Sequence, residues 1–313
     1  MRLLFKIIAI FFLVLLLGTV ALAGYVVYQV ESFDTETPPA RHGQVDQRLF
    51  LGPGERQPLI VGFGGGEGGN AWASDHWKAQ RQRFLDQGYA FLAIGYFGGP
   101  KTPKELDRIA LDAVHAAIVQ AAADPRIESR CIALIGGSKG AELALALGSR
   151  YPDVDAVVGI VPASVVFAAH TPVMTTSSWT DRGAPLPFVP VPWSATLPLL
   201  SGDLRAAFEI MMADQTAWNL AQIPAENLRG PLLLVSATED EMWPSQAMAE
   251  QIMQRLDAHG FAYTAQHLAI EGGHGEPLKH FDKMEAFLAT EFQQPCLSNS
   301  AAQLGEAEVA AGY

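Results

Sequence analysis

Two hydrophobic patterns follow one another along the chain, and the first is continuous. Positions 7–30 carry no charged residue. A helix over that stretch, at about 1.5 Å per residue, exceeds the roughly 30 Å hydrocarbon core of a bilayer. It has no polar face, so it does not read as an amphipathic helix resting on a core. An uncleaved anchor or a signal peptide is predicted: Ala21-Leu22-Ala23 offers small residues for cleavage, while Tyr25, Val26 and Val27 carry the apolar run past that point. Arg2 and Lys6 precede the run. Positive charge stays on the cytoplasmic side, so the rest of the chain is expected beyond the membrane, anchored to it, or secreted if the segment is cleaved.

The second pattern alternates. A polar, proline-bearing stretch over 31–57 reads as a linker with one short strand near 48–51. Beyond it, short apolar runs bounded by glycine predict strands at 59–63, 90–96, 131–135, 156–161, 232–237 and 263–268. Between them, amphipathic stretches predict helices at 76–87, 106–122, 139–150, 245–259 and 280–289. Strands and helices in alternation imply the α/β class, a doubly wound, mostly parallel sheet covered on both faces.

One segment, 168–228, breaks the rhythm with Pro172, Pro185, Pro187, Pro190, Pro192 and Pro198 among Trp179, Phe188, Trp193, Phe208 and Trp218. It is too long and too apolar for a plain connection. Following a strand end, it predicts a lid over the carboxyl edge of the sheet, where ligands bind in this class. The folded body is expected over 58–292, and the polar, aperiodic residues 293–313 read as a disordered tail.

A net charge of −12 over 313 residues, without a local cluster of Lys and Arg, excludes nucleic acid as a partner. Cys131 falls in a core strand and Cys296 in the polar tail, so no disulfide is expected and neither thiol reads as a nucleophile.

The strongest chemical signal is Gly136-Gly137-Ser138-Lys139-Gly140, between an apolar strand and an alanine- and leucine-rich helix. A serine on a sharp strand-to-helix turn needs small neighbours, and the helix N-terminus directs N–H groups at a reacting oxygen. A hydroxyl needs a base, and the base needs an orienting acid. His274, in Glu271-Gly-Gly-His-Gly275 after the last predicted strand, is the candidate base; His259, His267 and His280 lie in or beside regular elements and read as structural or solvent-facing. For the acid, the loop after 232–237 offers Glu239, Asp240 and Glu241; Asp240 is favoured because a shorter side chain fixes an imidazole with fewer rotatable bonds, with Glu239 as the alternative. Oxyanion donors are expected from the Lys139 N–H and from Gly65 or Gly66 in the glycine cluster 62–69. That cluster lacks the Gly-Lys-Ser/Thr ending of a phosphate loop, so no cofactor is implied, and no metal either.

Taken together, Tyr96-Phe-Gly98, Ile135-Gly-Gly-Ser-Lys-Gly-Ala-Glu-Leu-Ala-Leu145, Ser149-Arg-Tyr-Pro152, Val161-Pro-Ala-Ser-Val-Val166, Ser178-Trp179, Pro185-Leu-Pro187 and Trp243-Pro-Ser245 resemble the C-terminal domain of the acyl-CoA thioesterase and bile acid-CoA:amino acid N-acyltransferase family, over about 58–290. The resemblance implies an α/β-hydrolase fold and a Ser138, Asp240, His274 triad, since the family's acid lies three residues before the tryptophan of Trp-Pro-Ser. It also marks departures. Full-length members carry an N-terminal β-sandwich, where this sequence has an apolar segment and a linker. N-acyltransferase members use cysteine, whereas Ser138 favours hydrolysis over conjugation. Coenzyme A is chiefly cytoplasmic, so an exported domain is open to another ester or thioester. The expected activity is cleavage of a small-molecule acyl thioester or ester through an acyl-serine, with a carboxylesterase or dienelactone-hydrolase-like enzyme as alternative and a catalytically silent binding protein as the non-enzymatic one.

Overall fold

The computed structural model describes residues 2–300 and 302. Helix α1 (Arg2–Ser32) spans the apolar run, and none of the residues in its most apolar window is buried against the rest of the chain. It is long and apolar enough to cross a membrane, a test that a signal sequence also passes.

Strands β1 (Asp46–Phe50) and β2 (Gln57–Phe63) open the body, followed by α2 (Lys78–Asp86), β3 (Ala90–Gly95), β4 (Ile109–Ala110), α3 (Leu111–Ala122), β5 (Ile127–Gly137), α4 (Lys139–Gly148) and β6 (Ala156–Ile160). The insertion then contributes β7 (Trp179–Asp181), β8 (Ala184–Pro185), α5 (Thr196–Ser201), α6 (Leu204–Met212) and α7 (Gln215–Ala221). Strand β9 (Leu232–Ala237), α8 (Ser245–Ala258), β10 (Ala265–Ile270) and α9 (Phe281–Phe287) close it.

Seven strands form one sheet in the order β1-β3-β2-β5-β6-β9-β10, antiparallel only at the β1-β3 edge. Alternation within each strand sends side chains to opposite faces. Leu59, Val61, Leu92, Ile94, Ile132 and Leu134 pack with α3, α4 and α8, while Ile60, Phe91, Ala93, Ala133 and Ile135 pack with α2 and α9. Both faces are thus covered, as expected of an α/β-hydrolase fold. From β2 the chain winds outward to β3 and returns to β5 on the other side, so the direction of winding reverses between β2 and β5. Ligand crevices open at such a reversal, outside the carboxyl ends of the strands.

Three sequence readings change. The short strand expected near 48–51 within 31–57 is β1, but it starts at Asp46 and pairs with β3 from Asp46↔Gly95 to Phe50↔Phe91, so the sheet already begins inside the stretch read as linker. The tail is not structureless at its start: a π-helical turn (Leu288–Gln293) runs into helix over 294–300, Phe292 stacks on Tyr89, and Ser300 is buried. Apart from residue 302, the rest of the tail lies outside the described residues. Finally, Cys131 and Cys296 do form a disulfide, with Cα atoms 5.8 Å apart. Local polarity made Cys296 read as remote from the core; the apolar anchors Leu288 and Phe292 just before it lay the C-terminal helix over β5 and bring the sulfurs together.

Candidate active site

Ser138 is the residue between β5 and α4, at φ 54° and ψ −120°. A side-chain-bearing residue rarely adopts a positive φ, and here the surroundings enforce it. The Ser138 N–H donates to the Ile160 carbonyl at 2.8 Å, and the Ser138 carbonyl accepts from Ala141 N–H at 2.9 Å. A Cβ on Gly136 would lie 2.1 Å from the Gly140 carbonyl oxygen, and one on Gly140 would lie 2.4 Å from that of Gly64. The glycines of the motif are therefore a packing requirement. They let α4 sit directly under the loop that follows β2.

The candidate acid and base come from the carboxyl ends of β9 and β10, beyond β6 in the sheet. Asp240, buried at 1% exposure, accepts from the N–H groups of Met242 (3.0 Å) and Trp243 (3.2 Å) and faces His274 Nδ1 at 2.8 and 3.0 Å. Burial alone would raise its carboxyl, but hydrogen bonds from His274, Ser245 and Trp243 outweigh that and hold it below the usual carboxylate range. An ionised carboxylate only accepts, so Nδ1 carries the proton that meets it, which leaves Nε2 as the nitrogen facing away from Asp240. Glu239 is exposed and has no contact of this kind. Glu241 takes a different part: its Oε2 accepts from the His274 N–H at 2.8 Å and would sit 2.6 Å from a Cβ on Gly273. It fixes the backbone of the histidine loop, and Gly273 is small because it must be.

Ser138 and His274 open onto one cavity of about 580 Å³. No direct hydrogen bond joins them in this structure; such contacts are often long until substrate is bound. The walls are apolar, including Trp72, Phe167, Phe208, Met211 and Trp243, with residues from the 168–228 insertion among them. Of the expected oxyanion donors, the Lys139 N–H stands in the first turn of α4, where backbone N–H groups lack intrahelical partners. Gly65 lies beside the nucleophile, a Cβ placed on it being 3.3 Å from that of Ser138. Its N–H, however, donates to Glu67 Oε1 at 3.1 Å. Gly66 lines the cavity as well. Tyr96 steadies this loop through its hydroxyl, 2.7 Å from the Gly64 carbonyl.

Sequence reasoning passed over three features. Glu67 is the lone charge within the glycine cluster 62–69, a signal that was available. His170 opens onto the cavity and is held neutral, burial first and then the Lys139 charge pushing its imidazole down to about 4. It sits in an aperiodic segment, with nothing in the sequence to single it out. The third is a buried ion pair under the elbow. Lys139 Nζ donates to Glu142 Oε2 (2.7 Å) and Ser178 Oγ (2.9 Å), while Glu142 Oε1 accepts from Trp179 Nε1 (2.7 Å) and Phe167 N–H (3.2 Å). Burial pushes the lysine down and the glutamate up, and their mutual attraction opposes both shifts. The Ser-Lys-Gly-Ala-Glu and Ser-Trp pieces of the sequence signature thus meet in one network that ties the elbow to the insertion.

Fold and site together define an α/β-hydrolase with a serine elbow. The model of the family described as "BAAT / Acyl-CoA thioester hydrolase C terminal" matches residues 113–278. The chain belongs to that family. It is 29% identical over 225 residues to the mouse acyl-coenzyme A thioesterase 6, covering 71% of this chain and 49% of that protein. It is 27% identical over 221 residues to the mouse acyl-coenzyme A amino acid N-acyltransferase 1, covering 70% and 49%. The chain spans about half the length of these curated relatives. Among solved structures it is similar in fold to a Mycobacterium tuberculosis puromycin-hydrolyzing peptidase (TM-score 0.56, 17% identity, 80% of this chain and 37% of the other). The Pyrococcus horikoshii acylaminoacyl peptidase is a comparable neighbour (TM-score 0.55, 15% identity, 80% and 40%).

Proposed function

We propose that this chain is a serine hydrolase that cleaves an acyl thioester or ester through an acyl-Ser138 intermediate, with His274 as base and acid and Asp240 as the group that orients it. The observation that carries the reading is the pairing of His274 Nδ1 with the buried Asp240 at 2.8 Å, on a cavity that the strained Ser138 also lines. In the reaction so read, Nε2 takes the proton of Ser138 as Oγ attacks the acyl carbonyl. Charge develops on the carbonyl oxygen, which in this reading the Lys139 N–H and a donor of the Gly65-Gly66 segment stabilise, the Gly65 N–H only once it leaves Glu67. The thiol or alcohol leaves with the proton from Nε2. Water, deprotonated by the same nitrogen, then releases the acid and restores Ser138. The thioesterase names of the relatives support a thioester, and a serine rather than a cysteine at the elbow supports water as the final acceptor.

The apolar α1 supports an anchored or exported body, and the Cys131–Cys296 disulfide fits an oxidising compartment. A direct test of the chemistry is the turnover of p-nitrophenyl acetate. Ser138→Ala is expected to lower kcat by at least about a thousandfold, because triad members act as a unit. A variant that keeps near-normal turnover excludes Ser138 as nucleophile.

A further inference from the structure

One wall of the cavity is tied to the base of α1. Past Ser32 the chain meets the body at Asp34, whose carbonyl accepts from Arg108 Nη2 at 3.0 Å. Asp107 pairs with Arg108 (2.9 Å) and accepts the Thr176 hydroxyl (2.6 Å), and the neighbouring Leu106 carbonyl accepts the His170 N–H (2.9 Å). Between those attachment points, His170 and Met174 line the cavity. The stretch 106–108 therefore holds both the end of the membrane-length helix and the cavity wall.

A second part of the rim lacks charge altogether. Residues 184–202 contain no Asp, Glu, Lys or Arg in a chain that is 17% charged. Val191 and Leu199 line the cavity, while Trp193, Leu197 and Leu200 beside them are 69%, 76% and 81% exposed. Large apolar side chains grouped in this way mark a surface that something apolar covers. A bilayer suits the patch in charge, since hydrocarbon admits no ion, and suits its tryptophan, which favours the membrane interface. Helix α1, long and apolar enough to cross a membrane, is an independent feature of the chain that suits a bilayer.

Among the described residues, the cavity presents no unengaged Lys or Arg side chain to a phosphate. Lys139 is the only Lys or Arg lining it among the described residues, and its ammonium is engaged by Glu142 and Ser178. Glu67 adds a carboxylate.

From these features we infer that the substrate is an acyl lipid resident in the membrane, which reaches Ser138 from a bilayer against which the 193–200 segment docks. The inference rests on the serine-hydrolase reading of the site. In the step so assigned, Ser138 Oγ displaces the lipid's alcohol, which departs with the proton held by His274, and water then frees the fatty acid.

The full chain in phosphatidylcholine vesicles, given a fluorogenic long-chain acylglycerol ester in the same vesicles, long-chain acyl-CoA, or soluble p-nitrophenyl acetate, tests this. The lipid ester is expected to show a kcat/KM at least tenfold above that of acyl-CoA. The triple substitution Trp193→Ser, Leu197→Ser, Leu200→Ser is expected to lower lipid-ester turnover at least tenfold and to leave p-nitrophenyl acetate turnover within twofold. Equal or faster cleavage of acyl-CoA overturns the inference. So does a triple variant with unchanged lipid turnover, or one that loses both activities in parallel, which assigns these side chains to the fold. Failure of the unsubstituted chain to cleave p-nitrophenyl acetate removes the serine-hydrolase reading itself, and the inference with it.

Discussion

Ser138 keeps a positive φ because Gly136 and Gly140 leave no side chain in the way of α4 and the β2 loop. The same crowding brings Glu67 close to the reacting centre, where its carboxylate occupies the Gly65 N–H. A negative charge beside a developing oxyanion opposes it, and a carboxylate bound to a donor competes for that donor. Glu67→Gln retains an oxygen that can accept from Gly65 while removing the charge. It is expected to raise kcat/KM on a short neutral ester by roughly two- to tenfold, the scale of about 0.4–1.4 kcal/mol of transition-state stabilisation. A fall of tenfold or more in steady-state assays would show instead that the carboxylate is required. Glu241 and Gly273 illustrate the same principle in the histidine loop, where one side chain holds a backbone in place and its neighbour must be glycine to allow it.

Among the elements, the crossover from β5 to β6 carries a titration. Asp155, just before β6, is raised to about 6, chiefly by burial, against a hydrogen bond from Ile132 N–H that pulls it down and the charge of Asp153 that raises it further. A carboxyl whose folded-state pKa lies above the unfolded value contributes stability below about 4, and that contribution is lost as pH rises through about 6. Asp155→Asn, which keeps an acceptor for Ile132, is expected to stabilise the protein at pH 8 by about 1–3 kcal/mol and to give no gain at pH 4. Denaturant unfolding at the two pH values measures it; equal effects at both contradict the sign.

The regular elements were legible because strands buried on both faces read as short continuous apolar runs and amphipathic helices leave a period of 3.6, as in 59–63 and 245–259. The position of Ser138 was legible because glycine punctuates a turn that tolerates little else. The small β4-β7-β8 sheet, which joins the insertion to residues 109–110, and the insertion's short helices were not, because their stability comes from long-range packing such as Phe167 on Trp218 and Trp243. Neither His170 nor the Lys139–Glu142 pair announces itself locally. Each acquires meaning only through residues brought together from elsewhere in the chain.

For the molecule as a whole, the two ends of the chain change the picture most. At the N-terminus stands a helix with the dimensions of a membrane span; at the C-terminus a helix is fastened to the strand that carries the elbow, by a disulfide between residues 165 positions apart. Cross-linking so long a loop restricts the unfolded chain, and stabilisation of about 2–5 kcal/mol is usual for such bonds. Cys296→Ser is accordingly expected to lower the denaturant midpoint under oxidising conditions, with dithiothreitol abolishing the difference between the two proteins. An unshifted midpoint contradicts a stabilising bond. The proposed triad is the centre on which the rest depends, and covalent labelling tests it most directly. A fluorophosphonate probe followed by peptide mapping is expected to place one adduct on Ser138, lost when the protein is unfolded and strongly slowed in His274→Ala. An adduct on another serine, or none on the folded protein, would contradict an acyl-enzyme at this position.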